Sequence, residues 1–115
     1  MIVYHITRQT DWETALKFGS YRADTLTTQG FIHCSTKEQI IQTANSFYRG
    51  KNGLVLLCIN SDLVKAEIRF ENLEGGQKLF PHIYGPVDLQ AILMSYPFEP
   101  QSDGCFILPD DIIDH

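Results

Sequence analysis

Leu54-Val55-Leu56-Leu57-Cys58-Ile59 is the longest uninterrupted apolar run in the chain. Led in by the turn signal Lys51-Asn52-Gly53, it suits a β-strand buried on both faces, and it falls far short of the ~20 residues of a membrane span. The run therefore predicts a central strand over 54–59. Upstream, Ile2-Val3-Tyr4-His5-Ile6-Thr7 is rich in β-branched and aromatic residues and reads as a strand. Thr10 and Glu13 have capping-box spacing, Trp12, Ala15 and Leu16 follow, and Gly19 supplies a stop, so residues 11–18 read as a short helix. After a polar stretch, Gly30-Phe31-Ile32-His33-Cys34 reads as a second strand. Ser35/Glu38 and Thr36/Gln39 are overlapping capping boxes, and Ile40, Ile41, Ala44, Phe47 and Tyr48 recur at helical spacing, which predicts a helix over 36–48 closed by Gly50. Downstream, residues 66–71 alternate polar and apolar like a half-buried strand, Gly75-Gly76 marks a turn, His82-Ile83-Tyr84 reads as a short strand, and 91–96 as the last.

The order β-α-β-α followed by several strands is that of an α+β domain with two early helices and sheets built largely from the second half. Residues 1–97 are expected to form one domain. Residues 98–115 are expected to be an irregular C-terminal tail packed on it or trailing from it, with Asp110 to Asp114 solvated. A chain of 115 residues with 43% hydrophobic and 20% charged residues is long enough to bury a core and unlike a disordered segment. Nine Lys and Arg against fourteen Asp and Glu leave a formal charge of −5. That argues against broad binding to nucleic acid or an anionic membrane, both of which need cationic surface. The N-terminus enters a structural pattern at once, and Cys34, Cys58 and Cys105 are an odd number without a CxxC pair. A reducing cytoplasm is the expected location.

Side chains two apart in an extended segment share a face. His5 and Thr7, His33 and Ser35, and His82 and Tyr84 are thus three strand segments, each presenting an imidazole with a hydroxyl beside it. A strand face does not need that much polar matter for packing, and a common pocket is the expectation. Ser35 has a second use as a helix cap for the amide of Glu38. Adjacent residues face opposite ways, so His33 and Cys34 do not make a thiol–imidazole dyad. No G-x-S-x-G elbow, P-loop or GxGxxG is present. His5, His33 and His82 match the ligand number of a catalytic zinc site, but without HExxH or His-x-His spacing. A metal-dependent hydrolase built on them stays as an alternative reading.

Gly30-Phe31-Ile32-His33-Cys34-Ser35-Thr36, Glu71 with Gly75-Gly76, and Phe80-Pro81-His82-Ile83-Tyr84-Gly85-Pro86 together resemble the family called domain of unknown function 952. The resemblance runs from Tyr4 to about Tyr96. The opening Tyr4-His5-Ile6-Thr7, followed by a helix and Gly19, is similar to the start of ADP-ribosyltransferase-like proteins, which include RNA 2′-phosphotransferases and poly-ADP-ribose polymerases. Their first strand carries His-Gly-Thr or His-Gly-Ser, whose histidine and hydroxyl hold a ribose of NAD; here Ile6 stands in place of the glycine. His33-x-Ser35 before a helix is similar to their second strand, and Glu71 and His82 both compete for the position of their third-strand glutamate. No Glu-x-Glu or Gln-x-Glu pair is present, which does not support arginine-directed transfer.

The resemblance implies an ADP-ribosyltransferase-like fold, with the two early helices packed on a split, mostly antiparallel β core, and a small-molecule nucleotide partner, with NAD, an ADP-ribosyl or a ribose-phosphate compound as ligand and no metal. It further implies His33 and His82 as acid/base, Glu71 as stabiliser of positive charge, and His5, Thr7, Ser35, Tyr84 and Arg8 as ligand contacts. Tyr84 or Tyr4 would stack on the ligand, and Arg8, Arg22 or Arg49 would neutralise phosphate. A non-catalytic nucleotide-sensing or interaction module with the same cleft is the second reading.

Overall fold

A computed structural model describes residues 1–113. Its first sheet contains β1 (Ile2–Arg8), β4 (Leu54–Asn60) and β8 (Ile92–Phe98), in the antiparallel order β1-β4-β8. The apolar run is thus the central strand, and none of its six residues is more than 4% exposed. Alternation divides the sheet between two cores. Ile2, Tyr4 and Ile6 of β1 join Leu54, Leu56 and Cys58 on one face, and Val3 joins Val55, Leu57 and Ile59 on the other. A second sheet, β3 (Ile32–His33), β6 (Phe80–Ile83) and β5 (Ile68–Glu71), has the order β3-β6-β5, and β2 (Ser20–Tyr21) pairs with β7 (Val87–Asp88) as a short ribbon. All of these pairings are antiparallel. Three helices, α1 (Gln9–Phe18), α2 (Asp24–Thr28) and α3 (Lys37–Phe47), complete a small α+β fold.

The two larger sheets share the second core and are joined by backbone hydrogen bonds at Tyr4 and Ser35. Tyr4 and Ser35 exchange both backbone hydrogen bonds, each at 2.8 Å, and Cys34 N–H donates to the Pro81 carbonyl at 3.0 Å. Chain leaving β3 is therefore tied to β1 on one side and β6 on the other.

Several element boundaries differ from the sequence expectation. The Thr10/Glu13 box does not form: the β1–β4 ladder runs through Arg8, Gln9 N–H still donates to the Gly53 carbonyl, and α1 begins there with Arg8 as N-cap. Gly19 does end α1, in the left-handed conformation at φ 87°. Ser35 does not cap α3, because its backbone is committed to Tyr4; Thr36 is the N-cap, and its N–H donates to Gln39 Oε1 at 3.0 Å. The polar stretch after Gly19 contains β2 and α2, and the strand expected over 82–84 starts two residues earlier and ends one earlier, at Phe80–Ile83, while Tyr84 N–H reaches the Glu67 carbonyl. Trp12 of α1 is partly buried against the core that holds Val3, Val55, Leu57 and Ile59.

Residues 99–113 hold no strand or helix, yet they cover the first core. Phe106 is 2% exposed and stacks on Phe98 at 4.7 Å, and its N–H donates to Asn45 Oδ1 at 2.7 Å. Tyr4 and Tyr96 hydroxyls donate to the carbonyls of Ile113 and Asp111. Asp110 and Asp111 are exposed, and Asp114 lies outside the described residues. No helix of the described residues is long and apolar enough to cross a membrane. Truncating Phe106 to Ala is expected to destabilise the domain by about 3–5 kcal/mol, the usual range for a buried aromatic. The urea midpoint reads this directly, and a change below about 0.5 kcal/mol would place the tail on the surface instead.

Candidate functional site

Where β1 and β3 approach, the sheets enclose a pocket of about 950 Å³. His5, Thr7 and Arg8 come to it from β1, His33 and Ser35 from β3 and the residues after it, His82 from β6, and Glu71 from the end of β5. Tyr84, an expected ligand contact, does not line it.

His5 forms the inner joint. Its Nδ1 lies 2.5 Å from the His33 carbonyl, and its Nε2 lies 2.7 Å from the Tyr21 hydroxyl. A carbonyl only accepts, so Nδ1 carries the proton and Nε2 accepts the Tyr21 O–H. Thr7 Oγ1, 2.9 Å from the same Tyr21 oxygen, then supplies the proton of that contact. Burial in this setting lowers the His5 pKa to about 4, so the ring is neutral, and burial pushes the Tyr21 phenol up. With both nitrogens used, His5 shapes the wall and has no free donor or acceptor for a ligand. Tyr21 was not legible as a site residue, because a two-residue strand carries no periodicity to assign its face.

His82 forms the second centre, and it is 6% exposed. Nδ1 lies 2.9 Å from Glu71 Oε1, and the Tyr84 hydroxyl donates to that same oxygen. The Tyr84 and His82 hydrogen bonds hold the Glu71 carboxyl below its usual range. An ionised carboxylate only accepts, so Nδ1 of His82 carries a proton, and in the neutral ring Nε2 holds the lone pair. Tyr84 in turn lies under Arg69, whose guanidinium carbon is 4.5 Å from the ring centroid and whose Nε donates to Glu67 at 2.9 Å. Tyr84 is therefore a partner of Glu71.

His33 is the exposed imidazole of the three. Its ring meets that of His82 edge-on at 5.2 Å, Phe31 stacks on His82 at 4.2 Å, and Gln29 Oε1 lies 2.9 Å from His33 Nε2. Burial and the neighbouring His82 lower the His33 pKa. Ser35 Oγ lies 3.4 Å from Thr43 Oγ1 of α3. Arg8 lines the pocket but is paired with Asp11 at 2.9 Å and Asp24 at 3.5 Å. Arg22 and Arg49 are exposed and away from the wall. Tyr4 is 1% exposed and its hydroxyl is turned to Ile113, which removes it as a stacking platform. The Cys34 thiol lines the pocket and is pushed up by complete burial, which suits a packing role. Among the described residues no three His, Cys, Asp or Glu side chains converge to hold a metal ion, and both nitrogens of His5 are engaged. His5, His33 and His82 are not brought together as one ligand set among the described residues.

Residues 6–95 match the family described as "Protein of unknown function (DUF952)". The chain belongs to the DUF952 family. Its fold is similar to that of protein CC0527 from Caulobacter crescentus, 28% identical, with a TM-score of 0.83 to the X-ray structure over 93% of this chain and 94% of that one. The solution NMR structure of CC0527 gives a TM-score of 0.75 over 90% of each chain. No curated protein matches this DUF952 chain.

The neutral His5 makes stability depend on pH. Its folded pKa near 4 lies below the ordinary 6.5, so between these values the unfolded chain binds a proton that the native state does not. Stability is complete above about pH 6.5 and falls as the pH drops toward about 4, by about 3 kcal/mol from this group. Urea denaturation at pH 7 and pH 4.5 is expected to show this loss, and His5→Asn is expected to flatten it. An equal slope in the variant would assign the dependence to other groups.

Proposed function

We propose that the pocket binds NAD or a related ADP-ribosyl or ribose-phosphate compound, and that the chain follows an ADP-ribosyltransferase-like course. The observation that carries this reading is the convergence of Thr7, His33, Ser35, Glu71 and His82 on one cavity. At about 950 Å³ it falls in the upper range of small-molecule sites. Hydroxyls and neutral imidazoles both donate and accept, which suits the vicinal hydroxyls of a ribose. The fold reading is supported by β1 with His5-x-Thr7 running directly into α1, and by β3 with His33-x-Ser35 running into α3.

In this assignment the residues act in two groups. His5 and Tyr21 set the wall, and Thr7, Ser35 and His33 hold the sugar. His82, oriented by Glu71, is the acid/base, and the second oxygen of Glu71 faces the charge that develops at the anomeric carbon. For hydrolysis, a water oxygen bonds to C1′ as the C1′–N bond breaks. The base leaves with the bonding pair, and a water proton passes to His82 Nε2.

A thermal-shift titration against NAD, ADP-ribose and ribose 5-phosphate tests the binding. A ligand specific to the folded state raises its apparent stability, by about 2.7 kcal/mol at 100 times Kd. The expected result is a rise with at least one of these that is largely lost in His33→Ala. No rise at millimolar ligand would overturn the reading. Glu71→Gln is expected to lower any turnover about 10²-fold or more while binding persists; binding without turnover in the parent protein would favour the sensing module.

A further inference from the structure

Two chemistries remain open at the His33/His82 pair: cleavage at a ribose carbon, and transfer of a ribose phosphate. The fixed charges of the wall separate them. Asp11, Asp24, Glu71 and Glu74 line the pocket against only Arg8 and Lys51. Arg8 is committed to Asp11 and Asp24, and Lys51 lies against the Tyr48 ring at 5.6 Å. Arg69, the cation nearest Glu71 along β5, sits over Tyr84 and bonds Glu67 rather than facing the cavity. Glu71 stands behind His82, and Glu74, held by its N–H to Asn72 Oδ1 at 3.0 Å, lines the same wall with its field reaching the His33 ring.

We propose that the His33/His82 end of the pocket takes a ribosyl ligand with a cationic or uncharged base and rejects a phosphate, with Glu74 as the specificity-determining residue. A phosphate seated between two imidazoles is stabilised by a protonated ring or an adjacent guanidinium. Here partial burial and the neighbouring His82 lower the His33 pKa, which disfavours a protonated ring, and the carboxylates of the wall outnumber its cations. A base carrying positive charge meets the opposite situation: the Glu71 and Glu74 carboxylates attract it. Glu74 is exposed, so its individual effect is screened and modest. The inference rests on the ribosyl-binding reading and chooses between its two chemistries.

Matched ligands that differ by one charged group test it by calorimetric titration. Nicotinamide riboside and nicotinamide mononucleotide share base and sugar and differ by a phosphate; NAD and ADP-ribose differ by the cationic base. The riboside and NAD are expected to bind about tenfold tighter than their partners at low salt, with the ratios shrinking as salt rises. Glu74→Gln is expected to reduce each ratio about two- to fivefold while the variant keeps its thermal midpoint. Equal or reversed affinities within the pairs would overturn the charge selection and leave ribosyl binding standing. Absence of binding by all four would overturn both.

Discussion

The Tyr4–Ser35 backbone pair is the joint on which this molecule's geometry depends. Two hydrogen bonds of 2.8 Å are modest in energy, about 1 kcal/mol each net. Their weight lies in where they act: they lock the end of β3 to β1 while Cys34 locks it to β6. His5 and His33 adjoin these bonded residues, and the His5 ring meets the His33 carbonyl at 2.5 Å. The same commitment takes Ser35 out of helix capping and leaves its hydroxyl on the pocket wall.

From this joint follows an electrostatic division of labour. A buried, doubly bonded imidazole is stable only when neutral, and His5 satisfies that by donating to a carbonyl and accepting from a phenol. His82 solves the same problem with a carboxylate, which keeps charge in the site and leaves its second nitrogen free among the described hydrogen bonds. Two histidines with similar burial are therefore held differently: His5 by a carbonyl and a phenol, and His82 by a carboxylate. Register explains the second arrangement. Arg69 stands opposite His82 across β5–β6, so Glu71, two residues on, is the diagonal neighbour on the same face, within reach of a long side chain.

Much of this was legible from alternation. The apolar run gave the central strand because six consecutive core residues admit no solvent face, and the three His-x-hydroxyl pairs pointed to one pocket because side chains two apart share a side. Most of what escaped detection had no periodic signal. Tyr21, Gln29 and Glu74 lie in a two-residue strand, at a short helix end and in a loop, where no period assigns a face; Phe31 did carry a signal, since it stands two residues before His33 in the expected strand and meets its ring at 4.8 Å. Tyr84 shared the side of His82 as expected, but whether a hydroxyl meets a ligand or a neighbour depends on the register of the adjacent strand, and alternation does not encode that. The Thr10 box failed for a similar reason: the ladder to β4 competes for the same residues and wins, since it satisfies backbone groups that a later helix start would leave exposed.

β1 is also the strand through which the tail reaches the site. Its pocket-facing residues, His5 and Thr7, alternate with Tyr4 and Ile6, which face the core that Phe106 and the last described residues close. The Tyr4 side chain bonds the tail while its backbone bonds Ser35. One residue thus carries the connection from a segment without regular structure to the joint between the sheets. A strand buried on both faces moves as a unit, because packed interiors transmit displacement instead of absorbing it. Tyr4 is the residue at which the contacts of the tail and those of the joint between the sheets coincide.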